Sequence, residues 1–387
     1  MAVTKGEKKH DQGETMRSVI VSSGNSKRLG MITHLLVVMA SCWLTVINLA
    51  AEDKLTGADL LKRDTKFLAS KEGQALIDNL LTYQTSVGGW CKAYNAQQPR
   101  ETQAGAASYG GWKGTPTIDN GATYSEIALL ARAAQATNRD DYRLAAQRGI
   151  DFLLSRQYAN GGWPQRSPLE SGDHEYGTHI TFNDDAMTEV LNLFLTIMDP
   201  MHTEYSFVTA DCRQRIMDAT ARGVACLLKC QIVIEGQLTV WCQQHDAVTL
   251  LPVTARAYEL PALCSSESAG ITMLLMSLPS PDNATRQAIV AAHQWFQKNK
   301  IQGKLWPEKK EGSDRRLIDD VHAPLLWSRY TDLANGRPFF CDRNGIPVWS
   351  VNDISAERRN GYAWYGTWGE KVLKSFPAWE KRTANSQ

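Results

Sequence analysis

The chain has 387 residues, 43% of them hydrophobic, which is enough to bury a large core as one big domain or two small ones. Forty-two Lys plus Arg stand against 41 Asp plus Glu, a net charge of +1, so no strong overall field draws the protein to DNA, an acidic membrane or any other polyanion. No nucleic-acid partner is expected, and an acidic ligand would have to be met by local clusters.

In chain order, residues 1–30 are polar and lack helical periodicity, and residues 31–51 form an apolar run that begins just after Lys27 and Arg28. The run ends on Ala50 and Ala51 before the charged Glu52-Asp53-Lys54. Basic residues, an apolar stretch and a small-residue exit are the plan of a secretory signal, so residues 1–51 are read as an N-terminal extension and signal peptide. That reading makes the protein secreted or periplasmic, with no stable membrane insertion after cleavage. An uncleaved anchor is the alternative, because the run approaches the ~20 residues that span a bilayer. Met31 is a second candidate start.

From residue 52 onward the pattern is helical. Helices are predicted over 71–83, 122–137, 140–158, 184–198, 209–230, 268–278, 282–299 and 365–376, with almost no alternating strand pattern. Tyr142, Leu144, Ala145, Ile150, Phe152, Leu153 and Leu154 recur at three- and four-residue intervals, giving the second of the central helices one apolar face. The loops between helices resemble one another. Gly-Gly-Trp occurs at 88–90, 110–112 and 161–163, with degenerate versions in LTVWCQQHD and GKLWPEKK. Asp119-Asn120, Asn183-Asp184-Asp185 and His245-Asp246 precede predicted helix starts. The recurring unit is therefore helix, Gly/Trp loop, acidic or amide cap, helix. Two helices cannot bury both faces alone, so stacked units must share a core. Closure of the array gives an all-α, (α/α) toroid-like helical barrel with long irregular loops, and the absence of linkers between residues 55 and 380 gives a single domain.

Of the cysteines beyond Cys42, Cys226 and Cys230 lie four apart on one helix face, but no His or second Cys pair completes a zinc set. Most are read as small buried apolar side chains, with a Cys212–Cys242 disulfide as an open alternative.

An Asp ahead of a helix ordinarily caps it. Adjacent Asp184 and Asp185 repel each other, however, and a cation would relieve them. Oxygen-only ligands suit a hard ion such as calcium. The arginines Arg166, Arg256, Arg329, Arg343 and Arg358-Arg359 all lie beside aromatics, prolines or glycines. A guanidinium grips a carboxylate with two parallel hydrogen bonds, so several in one cleft fit a repeating uronic acid. The twelve Trp and twelve Tyr supply flat faces of the kind that carry sugar rings.

GGWPQR, ITFNDDAMTEVLNLF, WCQQHD with ARAYELPAL, and RPFFCDRNG with ERRNGYAWYGTWG occur in this order between Lys71 and Lys374. Together they resemble the catalytic module of family 10 polysaccharide lyases, pectate lyases with an (α/α) toroid-like fold. The resemblance implies that residues 52–387 are a pectate lyase domain, a monomer acting on polygalacturonate with calcium. It also implies Asp119, Asp184 and the adjacent Asp185 at the metal, Arg256 as the proton-abstracting base, and Trp163, Arg166, Arg343, Asn120 and Lys304 as substrate contacts. Cys341-Asp342 and the segment after Leu263 depart from the family pattern.

The chemistry fits β-elimination. The C5 hydrogen of a galacturonate is α to a carboxylate, and the C4 oxygen is the leaving group. Arginine is normally protonated, so its use as a base requires burial beside cations to lower its pKa. If it stays charged, hydroxide or Lys304 would be the base. Two alternatives remain: a glycoside hydrolase with Asp119 and Asp184 as its acid/base pair, and a non-catalytic sugar binder.

Overall fold

The longer helices form near where the apolar periodicity places them, and three short ones are added at 57–60, 65–69 and 356–360. In the computed structural model, which describes residues 54–102, 114–167, 169, 175–310 and 314–384, they are α1 Gly57–Leu60, α2 Thr65–Ala69, α3 Lys71–Leu81, α4 Tyr124–Thr137, α5 Asp140–Arg156, α6 Ala186–Met198, α7 Ala210–Cys230, α8 Ser265–Ser277, α9 Asn283–Lys298, α10 Ala356–Asn360 and α11 Gly369–Ala384. The signal-like run and the Gly110-Gly111-Trp112 motif lie outside the described residues. Among the described residues no helix is long and apolar enough to cross a membrane.

Three helical hairpins build the core: α4 packs on α5, α6 on α7 and α8 on α9. Helices α4, α6, α8 and α11 contact one another in succession, and so do α5, α7 and α9. The two sets differ in burial. Nearly every side chain of α8 is buried, while α5 and α7 keep a polar face in water; Leu144, expected on the apolar face, is 61% exposed. A second cluster of Tyr258, Trp306, Phe339, Phe340, Val351 and Trp364 lies beneath the C-terminal loops.

Helix starts also divide into two kinds. Asp64, Ser70, Thr209 and Asp282 each accept a hydrogen bond from a first-turn amide of α2, α3, α7 and α9. The starts of α4, α6 and α8 have no side-chain cap, so Asp119, Asp184 and Asp185 are not capping residues. Asp246 caps no helix either; it accepts from the amides of Val248 and Thr249 in a turn.

The recurring loop has one hydrogen-bonding plan. Trp90, Trp163, Trp241 and Trp327 are fully buried, and each indole N–H donates to a carbonyl near the end of the preceding helix. The acceptors are Leu80, Leu153, Leu227 and Phe296, at 3.2, 2.8, 2.7 and 2.9 Å. The residue before each Trp accepts a backbone bond across a neck, from Thr85, Tyr158, Ile232 and Ile301 respectively. In the first two units Gly88 and Gly161 turn the chain at φ +101 and +94, with a helix carbonyl 2.4 and 2.0 Å from where a Cβ would sit, which explains the first Gly of each motif. The fourth member is thus Leu326-Trp327, not the Trp306 of GKLWPEKK, because residues 302–325 are inserted in the neck. The only strands described are two residues long, too short to leave an alternating signature. All seven cysteines from Cys91 onward are buried free thiols, so Cys212 and Cys242 are not joined.

Candidate active site

The loops after successive tryptophans are stitched side by side over the starts of α4 and α6. Thr117 donates through its hydroxyl to the Gln165 carbonyl at 2.6 Å, and the Ile118 amide joins the same carbonyl at 3.1 Å. Ile180 and Thr181 pair with His245 and Gln244, and the amides of Phe182 and Asn183 both reach the Gln243 carbonyl. Lys92, Gln165, Arg166 and Gln244, two or three places after the first three tryptophans, are thereby brought to one face with Asp119 and Asp184.

They line a cleft of about 380 Å³ formed by Lys92, Asp119, Asn120, Gln165, Arg166, Tyr176, Asn183, Asp184, Gln244, Arg256, Tyr258, Glu259 and Arg343. Asp119 and Asp184 come from two equivalent 3-10 turns, Asp119–Gly121 and Asn183–Asp185, which touch each other. In each turn the second residue is left-handed: Asn120 at φ 51 and Asp184 at φ 53. Asn and Asp are among the few side chains that accept this backbone region.

Asp119 is 2% exposed; one carboxylate oxygen meets Lys92 Nζ and the other has no hydrogen-bond partner. Burial, and next the charge of Asp119, push the Asp184 carboxyl above its ordinary range. The amide oxygens of Gln165, Asn183 and Gln244 are likewise buried without partners. This all-oxygen set of two carboxylates and unsatisfied amide carbonyls fits a hard divalent ion. Among the described residues no group of three or more His, Cys, Asp and Glu side chains is placed to hold a metal, so the amide oxygens are needed to complete such a set.

Asp185 does not join them. Its turn sends the side chain against α8, where an oxygen lies 2.1 Å from the position a Cβ on Gly270 would take, and burial with the charge of Glu267 lifts its carboxyl to about 7. Trp163 is fully buried in the repeat and cannot face a sugar, and Lys304 pairs with exposed Asp319 at 2.5 Å without lining the cleft.

The arginines separate as well. Arg166, Arg256 and Arg343 line the cleft. Arg329 is buried against Glu267, and Arg359 is buried against Asp314 and three backbone carbonyls. Arg358 is buried and donates to the Gly361 carbonyl at 3.1 Å. Arg256 meets Glu259 through Nε at 2.7 Å and through Nη2. Burial pushes the Arg256 guanidinium down, but the hydrogen bonds and charge of Glu259 outweigh it and hold the pKa above its ordinary value. Glu259 thus works against the lowering that the sequence-based reading asks of burial beside cations.

Lys92, Gln165, Tyr176, Gln244, Tyr258 and Glu259 were not singled out by sequence reasoning, and Asn183 only as part of the cap-like Asn183-Asp184-Asp185. The usable signal was positional: Lys92, Gln165, Arg166 and Gln244 all follow a repeat tryptophan by two or three residues.

A cleft joining buried carboxylate and amide oxygens to guanidinium groups, set on a scaffold of helical hairpins, has the chemistry to hold an acidic carbohydrate. A family model described as pectic acid lyase matches residues 84–373. The chain belongs to that family and is a polysaccharide lyase. It is similar to a family 10 polysaccharide lyase from Cellvibrio cellulosa, with 31% identity and a TM-score of 0.71, covering 84% of this chain and 98% of that one. A structure of a point mutant of the Cellvibrio cellulosa family 10 lyase, in complex with trigalacturonic acid, matches with 30% identity and a TM-score of 0.70 over 84% of this chain and 99% of the other. No curated protein matches the chain.

Proposed function

We propose that this lyase cleaves α-1,4-linked polygalacturonate by calcium-assisted anti β-elimination in the cleft around Asp119, Asp184 and Arg256, releasing 4,5-unsaturated oligogalacturonides. The observation that carries the reading is the gathering of partnerless carboxylate and amide oxygens beside three arginines within one small cavity. The galacturonate bound by the similar Cellvibrio cellulosa lyase supports the substrate class. The succession of helical hairpins supports the toroid-like reading of the scaffold.

Asp119 and Asp184, with the oxygens of Gln165, Asn183 and Gln244, would hold the calcium. Bound there, calcium would neutralise the substrate carboxylate and so acidify the hydrogen on C5. Arg166 and Arg343 supply forked donors for the carboxylates of the polymer, and Tyr176 and Tyr258 supply faces for its rings. Arg256 takes the C5 proton in its neutral form, the C4–O bond breaks as the C4–C5 double bond forms, and the departing oxygen takes a proton from water. Because Glu259 keeps the guanidinium charged, the neutral fraction is small and grows tenfold per pH unit, so activity is expected to climb into the alkaline range.

The test is incubation with de-esterified polygalacturonate at alkaline pH, with calcium and with chelator, following ultraviolet absorbance and reducing ends together. Calcium-dependent absorbance that rises with the reducing ends is expected. Reducing ends without absorbance would mean hydrolysis and would end the proposal.

A further inference from the structure

We propose that Glu259 is the positioning residue for Arg256, and that Gln243, Tyr330 and Tyr362 form a one-directional hydrogen-bond chain that fixes Glu259. This rests on the reading of Arg256 as the base.

Glu259 is 2% exposed, and both of its oxygens are used. One accepts from the Arg256 amide at 3.1 Å and from Nε at 2.7 Å; the other accepts from Nη2. Backbone and side chain of the arginine are thus tied to one carboxylate. The Glu259 amide closes the turn on the Arg256 carbonyl at 2.7 Å. Such a fork leaves the guanidinium little rotational freedom.

Behind the carboxylate stand three neutral side chains whose protons can be counted. The Tyr362 hydroxyl lies 2.8 Å from Glu259 and 2.6 Å from the Tyr330 hydroxyl, which lies 2.5 Å from the Gln243 amide oxygen as drawn. A carboxylate only accepts, so the single proton of Tyr362 goes to Glu259. The Tyr–Tyr contact must then use the proton of Tyr330, which leaves none for Gln243. Gln243 therefore presents its amide nitrogen, turned end for end. That orientation also gives a partner to the Gln243 nitrogen, which is buried without one when the amide is drawn the other way. Every donor in the series Gln243, Tyr330, Tyr362 points toward Glu259.

The charges around the chain act in the same sense. Arg329, Arg358 and Arg256 lie 5.0, 5.7 and 5.8 Å from the Tyr362 ring centre. Burial pushes the Glu259 carboxyl up, but Arg256 and the Tyr362 hydroxyl more than reverse it, so the group stays ionised. Gln243 follows Trp241 by two residues, so the chain starts on the structural repeat and ends at the base.

The full-length protein with calcium, assayed on polygalacturonate from pH 7 to 11, tests this with the variants Glu259→Gln, Tyr362→Phe and Arg256→Ala. Glu259→Gln is expected to lower kcat about 10²-fold at pH 8 through misplacement of the guanidinium, with KM little changed, and to make the rise of kcat toward pH 11 less steep than that of the wild type, because the guanidinium then loses its proton more readily. Tyr362→Phe should shift both in the same direction by less, and it carries the test alone if Glu259→Gln does not fold. Wild-type kcat and pH profile in both variants, with Arg256→Ala inactive, would overturn the positioning role and leave the base intact. Activity retained by Arg256→Ala would overturn the base, and this inference with it.

Discussion

Asp184 combines two demands that few side chains meet together: a left-handed backbone at φ 53 and a carboxylate facing Asp119. Asp184→Asn keeps the first and loses the second. It is expected to fold with an unchanged midpoint but to lower kcat/KM by at least about 10²-fold, with weaker calcium dependence in the ultraviolet assay. A separate group sets part of the pH dependence of stability. Glu126 is buried at the start of α4 beside the Tyr94 hydroxyl, and burial lifts its carboxyl from an ordinary 4.5 to about 7. The folded state therefore binds this proton more tightly than the unfolded chain. Its stabilisation is full below pH 4.5 and is lost as pH rises to about 7, a change of about 3 kcal/mol. Glu126→Gln should remove that share of the decline, read as a smaller difference in denaturation midpoint between pH 5 and 8. At this scale the sequence was partly legible. Asp119 and Asp184 declared themselves as carboxylates ahead of helices, and Arg256 by its aromatic setting. Asp185 looked equivalent to Asp184, but the sense in which each side chain leaves a left-handed turn depends on backbone geometry that no residue pattern encodes.

Helices α3 to α9 were legible to within three residues at each end because each buries a long stripe against its neighbours, whereas α11 runs eight residues past its expected end and the short α1, α2 and α10 left no periodic signal. The loops were not, because their order comes from single hydrogen bonds between distant segments. Trp163 shows the difference. Its Gly-Gly-Trp setting suggested a sugar platform, yet the indole is spent on the Leu153 carbonyl at 2.8 Å. Trp163→Phe is expected to leave KM for polygalacturonate unchanged while lowering stability by about 1–3 kcal/mol, since a buried carbonyl loses its donor. Thermal unfolding together with steady-state kinetics checks both halves. Trp306 and Trp327 could not be ranked from composition alone; only the pairing of Leu326 with Ile301 shows which one closes the fourth unit.

From Asp53 to Gln387 the chain is one compact unit, and the main apolar cluster runs without a break from Leu60 in α1 to Trp379 in α11. Shared faces between hairpins leave no seam at which half the molecule could open alone. Heating is therefore expected to give a single transition, with near- and far-ultraviolet circular dichroism coinciding. Two separated transitions would show that the second cluster around Trp364 and Phe340 melts independently.

The necks beneath the tryptophans have a practical consequence. A two-way backbone clasp between Ile301 and Leu326 closes the root of residues 302–325 while Trp327 keeps its place, and beyond that root Trp306, Leu317 and Asp314 pack back onto the C-terminal loops. The short necks at Thr85–Gly89 and Tyr158–Gly162 have the same root with almost nothing grown on it. Those two turns press on α5 and α7, whereas the neck at Ile232–Val240 ends in the exposed turn Glu235-Gly236 with nothing within 4 Å of a Cβ added at Gly236, so a reporter peptide spliced in there would leave the helices underneath undisturbed.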